Sequence, residues 1–239
     1  TSIVQIAAGK GHMLALDDRG QVYSWGKGDY GRLGNGGSRS QDTPETVELF
    51  EEIPCKFIAA GEHFSGAISD EGQVWMWGRN DQQQLGLGGG LSMEMYSMED
   101  YPTLLADNSA ENDVHELEAT YLSLGHQVAA AVYADKDGGT HVYSWGGKMW
   151  IEPQLMSVLD PENVWMVACG SNFTSAVGED GGLFTWSRSG FGGWQKALGH
   201  DGDRAQPHLV DALGRSVVGV ACGKNHMLAM SMDFAEGHE

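Results

Sequence analysis

Apolar residues in this chain come in short runs, each stopped by a glycine or an acidic turn, and the runs repeat. The stretch from Ile6 to Gly26 returns 52 residues later as Lys56 to Gly78. Looser copies run from Tyr121 to Gly146 and from Val167 to Ser187, and a fifth begins at Val220 and reaches Met230. In the first copy, Ile3 to Ala8 forms an apolar run ending at Gly9. His12 to Leu16 is a second run closed by Asp17-Asp-Arg-Gly20, Val22 to Trp25 a third, and Thr43 to Val47 a fourth. The runs are rich in β-branched and aromatic residues, which suit pleated surfaces, and no segment of useful length has a 3.6-residue period. The pattern predicts four short strands per unit. One four-stranded sheet cannot bury both of its faces, so repeated sheets of this kind stack as radial blades. The expectation is an all-β fold, a β-propeller of four-stranded antiparallel blades in one domain over residues 1–239. The blades are placed at about 3–50, 55–106, 117–159 and 164–212, with two strands of a fifth at 217–232.

The spacing is internally consistent. Gly9, Gly61 and Gly170 are each followed eleven residues later by Gly20, Gly72 and Gly181. Pro44, Pro102, Pro153 and Pro207 are each followed three residues on by Val47, Leu105, Met156 and Val210. Proline suits an outermost strand, where no ladder donor is missed. Trp25, Trp77, Trp145 and Trp186 share one slot, read as blade core. Two units depart from the pattern. Blade 3 lacks the Leu-Gly loop that follows the tryptophan elsewhere and runs directly from Gly146 to Pro153. Blade 2 is longer, with Leu91 to Glu118 carrying eight acids and no Lys or Arg. Loops on rigid scaffolds carry function, so this stretch is the candidate docking element, through Glu94, Tyr96, Glu99, Asp100, Tyr101, Glu111, Asp113 and Glu116.

Charge narrows the partners. Asp and Glu number 33 against 14 Lys and Arg, a formal net charge of −19. Phosphate backbones and anionic membranes are bound through cations, so nucleic acid and membrane surfaces are unexpected partners, and a protein with a basic surface is expected. No apolar run reaches the length of a membrane span. Three cysteines make no disulfide framework. Cys169 and Cys222 occupy a slot held elsewhere by Ala8, Ala60 and Leu124, which marks them as core thiols and suggests a reducing, intracellular setting.

The motifs Ala-Cys-Gly-x-x-His-x-x-Ala, Gly-x-Val-Tyr-Ser-Trp-Gly and Tyr30-Gly-Arg-Leu-Gly34 resemble the regulator of chromosome condensation repeat family, over essentially Val4 to Met230. The resemblance implies a seven-bladed propeller, of which this sequence holds four blades and part of a fifth. It also implies a choice among unrelated roles, since fold does not set function. An exchange factor for a Ran-like small GTPase would turn histidines of the Gly-x-x-His slot, here His12 and His226, towards the GTPase. The same slot holds Phe64, Val128 and Phe173 in the other units, which marks it first as a packing position. The wedge of the exchange factors has no clear match. A photoreceptor would need repeated Gly-Trp-Arg-His-Thr, which is absent.

Other motifs have simpler readings. Gly26-Lys-Gly-Asp-Tyr-Gly31 matches a dinucleotide fingerprint, but Arg-Leu-Gly-Asn-Gly-Gly follows it and cannot start the helix that holds a pyrophosphate. Asp135-Lys-Asp-Gly-Gly has Gly146 where a calcium loop requires glutamate, so it reads as a hairpin turn. Asn172-Phe-Thr174 is a formal glycosylation sequon at a junction of two buried strands. No metal-binding, cofactor-binding or nucleophile motif is present. The expected function is a non-enzymatic interaction or scaffold module working through rim loops and the acidic extension. The alternatives are nucleotide exchange on a small GTPase and substrate recognition for a ubiquitin ligase.

Overall fold

The computed structural model describes residues 1–88, 97–105, 117–148, 150–187, 197–201 and 204–232. Four antiparallel sheets of four strands and one of two follow each other along the chain. Blade 1 holds β1 (Ile3–Ala8), β2 (His12–Asp17), β3 (Val22–Gly26) and β4 (Gln41–Thr46), paired in that order. Blade 2 holds β5 (Cys55–Ala60), β6 (Phe64–Ser69), β7 (Val74–Arg79) and β8 (Met98–Leu104). Blade 3 holds β9 (Glu118–Leu124), β10 (Val128–Ala134), β11 (Thr140–Gly146) and β12 (Trp150–Leu155). Blade 4 holds β13 (Val164–Cys169), β14 (Phe173–Gly178), β15 (Leu183–Ser187) and the short β16 (His208–Leu209). The last sheet is β17 (Val217–Cys222) with β18 (Met227–Ser231). This is the propeller architecture that the repeat predicts. Pro44 and Pro102 stand on outermost strands, where a missing N–H breaks no ladder.

The first strand of each sheet is the inner one, since β1, β5, β9, β13 and β17 adjoin one another in sequence order. The core lies in the seams between neighbouring sheets. Leu14, Val22, Phe50, Ile58 and Trp77 fill the seam of blades 1 and 2. Phe64, Met76, Leu122 and Trp145 fill the next. Val132, Val167 and Trp186 fill the third, and Val177, Val210 and Val220 the last. Where a sheet is covered on both faces its second strand is sealed: every residue of β6 and of β14 is buried. The first and last sheets are covered on one face only. Ile3, Val4 and Ile6 are exposed on one side, and Leu228, Met230 and Met232 on the other.

Backbone hydrogen bonds join the inner turns around the hub. The N–H of Lys10 donates to Glu62 O (3.1 Å), that of Glu62 to Gly125 O (3.0 Å), that of His126 to Gly170 O (3.2 Å) and that of Ser171 to Lys224 O (3.1 Å). A side chain would break this approach, since a Cβ on Gly61 would fall 2.8 Å from the Gly125 carbonyl oxygen. We call the end of the molecule that carries these turns the mouth face. The loops between third and fourth strands lie there too. The opposite face carries the second hairpin turns and the links between blades.

Leu91 to Glu118 is not a single extension. The strand β8 runs through its middle, pairing with β7 as the outermost strand of blade 2. Of the residues expected to dock, Glu94 and Tyr96 precede β8 in the sequence, and Glu111, Asp113 and Glu116 follow it. These five residues lie outside the described residues.

Candidate functional site

The residues that β8 places are Glu99, Asp100 and Tyr101. Glu99 and Asp100 are half-buried and pack beside the blade 1 loop, where Asp100 O accepts from Gly36 N–H (3.0 Å). Burial, with Asp100 beside it, raises the Glu99 carboxyl above its ordinary range. Their role in the structure is to stitch two blades together. Tyr101 stays 59% exposed.

His12 and His226 diverge. His12 is 1% exposed, and its Nε2 lies 3.0 Å from Ser65 Oγ across the seam. Ser65 spends its one proton on the Arg32 carbonyl (2.8 Å), so His12 is the donor in the first bond and its Nδ1 is the bare ring nitrogen. Burial, then Arg32 and His63, lower its pKa to about 4. The ring is sealed in the seam between blades 1 and 2 and does not reach the mouth surface. His226 is exposed, because no sheet covers that side of β18.

The polar residues that do converge come from distant parts of the sequence. At the hub mouth the turns enclose a depression of about 430 Å³ lined by Lys10, Glu62, His126, Ser171 and Lys224 above a floor of glycines. Lys10 also lines a second depression, of about 590 Å³, with Lys27, Asp29, Tyr30, Arg32 and His63. Glu62 is the one carboxylate of the hub turn and meets several bases: Lys10 Nζ at 2.6 Å, His63 Nε2 at 3.6 Å, and His126 Nδ1. Burial pushes its carboxyl up, but Lys10 and His126 outweigh this and hold it below the usual range. Burial lowers both histidines, His63 to about 4, so both rings are neutral near pH 7.

Tyr30 forms the ledge of the second depression. Its φ of +64° is left-handed, a conformation that costs a non-glycine residue energy and marks sites where the surroundings dictate the backbone. Two guanidinium groups approach its ring, Arg79 at 5.0 Å and Arg32 at 5.7 Å from the centroid, and the His63 ring stands 5.6 Å away. Arg32 is buried, donating from Nε to Asp29 O (2.7 Å) and from Nη1 to Lys10 O (2.9 Å), which ties the Tyr30 loop to the hub turn. Arg79 is held by Asp81 (2.6 Å). The sequence reading missed this gathering, since no run of Lys or Arg announces it. The available signal was the repeat itself: Lys10 and Lys224 occupy the same slot after the hub glycine, as do Glu62, His126 and Ser171.

The cysteines are not poised for reaction. The thiols are free, and burial pushes Cys55 and Cys169 up to about 12 and Cys222 up to about 11, far from a reactive thiolate. Among the described residues no group of His, Cys, Asp or Glu is placed to hold a metal, and no helix is long and apolar enough to cross a membrane.

Family models described as "Regulator of chromosome condensation (RCC1) repeat" match residues 19–68 and 71–132, and a further one residues 3–32, together more than half of the chain. The ultraviolet-B receptor UVR8 of Arabidopsis thaliana is 31% identical over 97% of this chain and 51% of its own length. The E3 ubiquitin-protein ligase HERC2 of Homo sapiens is 33% identical over 97% of this chain and 5% of its own length. Among solved structures, Prp20p of Saccharomyces cerevisiae superposes with a TM-score of 0.75 at 22% identity, over 98% of this chain and 57% of that one. The chain thus spans about half of one curated relative and a small part of the other.

Proposed function

This chain belongs to the regulator of chromosome condensation repeat family, and we propose that it is a non-enzymatic protein-interaction module whose mouth face is the recognition surface. One observation carries the reading: the mouth face gathers Lys10, Lys27, Arg32 and Lys224 around two depressions, with Arg79 over the Tyr30 ring, on a chain of net charge −19. The hairpin turns of the opposite face carry the acids Asp18, Asp70, Glu71, Glu179 and Asp180. That face is a surface for a partner with basic groups, beside the acidic stretch from Leu91 to Glu118 expected from sequence. The breadth of the family supports a module role, because Prp20p has binding properties towards Gsp1p and histones, and HERC2 is a ligase far longer than the matched region. Burial of His12 weighs against nucleotide exchange by the histidine route.

The test is photo-crosslinking with a benzophenone amino acid placed at Lys27 on the mouth face or at Asp137 on the opposite face, in cells that express the full protein. Discrete protein adducts are expected from Lys27, and salt-sensitive ones from Asp137. A mouth-face position that yields no adduct, with the protein folded, would overturn the reading.

A further inference from the structure

We infer that the mouth face receives an acidic, extended segment of a partner protein, laid along the trough that the hub depression and the Tyr30 depression make together. The inference rests on the mouth face being the recognition surface and adds the chemistry of its ligand. Lys10 lines both depressions, so they adjoin at one cation. Each is of the size that encloses small-ligand groups, and two in series suit a short run of chain better than a compact molecule.

Among the charged residues that line the trough, Lys10, Lys27, Arg32 and Lys224 outnumber Asp29 and Glu62. Lys27 and Lys224 are exposed at the two ends of the trough, and neither ammonium has an ion pair among the described residues. Between them stands Lys10, whose counter-ion Glu62 is shared with two imidazoles. The Lys10 ammonium is exposed, so an incoming carboxylate can reach it from solvent beside Glu62. Beside it, His63 Nδ1 and Arg79 Nε are buried and without a hydrogen-bond partner. The floor of the hub mouth is Gly9, Gly61, Gly125, Gly170 and Gly223, so nothing stands between a bound backbone and the blade turns. Tyr30 offers a ring stiffened by two guanidinium groups for an apolar or aromatic neighbour in the segment. A nucleic acid shares the negative sign but is the poorer fit. Its charge density is high along its whole length, and the −19 of this chain repels a polyanion beyond the few contacts the trough supplies.

The experiment measures fluorescence anisotropy of a labelled peptide of alternating Glu and Gly, with the full protein, across a salt series. Binding is expected at low salt, weakening as salt screens exposed charges. Lys27→Glu combined with Lys224→Glu is expected to weaken it about tenfold, two exposed charge contacts being reversed, while Lys136→Glu on the opposite face leaves it unchanged. Both reversed residues are exposed, and circular dichroism of the double variant checks that it folds. Absence of binding by the unmutated protein, or binding indifferent to the double reversal, would overturn the inference. Tighter binding of a labelled DNA duplex than of the peptide would overturn it in favour of nucleic acid. Crosslinks from Lys27 that persist where the peptide fails would sink the ligand chemistry and keep the recognition face; loss of both would remove the face as well.

Discussion

The seam between blades 1 and 2 and the seam between blades 3 and 4 join the same kind of sheet by different means. In the first, the indole N–H of Trp77 donates to Arg32 O (3.0 Å) in the Leu-Gly loop of the preceding blade, and Gly34 packs against the indole edge. Trp145 repeats this with Gln84 O (3.1 Å). In blade 3 that loop is missing, and Trp186, in the same slot and fully buried, has an indole N–H with no partner among the described residues. The other end of the seam differs too. Cys55 N–H donates to Gly20 O (2.9 Å), as Ala119 does to Gly72 and Val217 to Gly181, but the lengthened hairpin of blade 3 makes no such bond to Val164. Instead His141 stands between Asp135 (3.2 Å) and Asp160 (3.0 Å), the latter on the 3-10 helix Ser157–Glu162 that leads into blade 4. A seam can keep its apolar filling while its polar fastening is exchanged. The tryptophan contributes volume everywhere and a hydrogen bond only where the neighbouring blade keeps its loop.

Acid should separate the two seams most. His12 titrates near 4 in the folded chain and near 6.5 when unfolded, so its neutral form stabilises fully above about 6.5, and that contribution fades as pH falls towards 4. The depressed pKa corresponds to about 3 kcal/mol. His12→Phe, which copies Phe64 and Phe173, should flatten the pH dependence of urea unfolding between pH 7 and 4. An unchanged slope would mean that His12 is not sealed.

Gly34→Ala comes next. With φ at +76° and a Cβ placed 2.9 Å from Trp77 Nε1, the variant should lose about 2–3 kcal/mol, from left-handed strain and a displaced indole bond. Thermal melts read this. Trp77→Phe should then exceed Trp186→Phe by about 1 kcal/mol, the net worth of a hydrogen bond at equal lost volume. Equal losses would erase the distinction between the seams. Asp160→Asn should cost least, about 0.5 kcal/mol, since its pair with His141 is partly exposed and screened. Hydrogen exchange at Val164 would place that loss at the third seam.

Much of this was legible in the sequence, and the reason is the repeat. One slot holds Trp25, Trp77, Trp145 and Trp186, and the missing loop after Gly146 stands out against its siblings, so both the fold and the defect of blade 3 could be read. The proposed recognition face could not be. Lys10, Lys27, Arg79 and Lys224 are scattered over more than two hundred residues, and a chain-wide charge of −19 averages them away. Nor did the acids of 91–118 reveal that β8 divides them, because Met98 to Leu104 has little of the apolar alternation that marks the inner strands. The Gly-x-x-His slot likewise concealed that His12 needs Ser65, a residue 53 positions away, to satisfy it.

At the hub, main chain touches main chain with glycine at the contact, so the spacing of the blades is settled before any side chain at the rim is chosen. The rim is consequently free text on a fixed page. Residues such as Lys27 and Lys224 can be rewritten to suit a new ligand while the sheets beneath keep their stacking, and a lineage can change what it recognises without renegotiating how it folds.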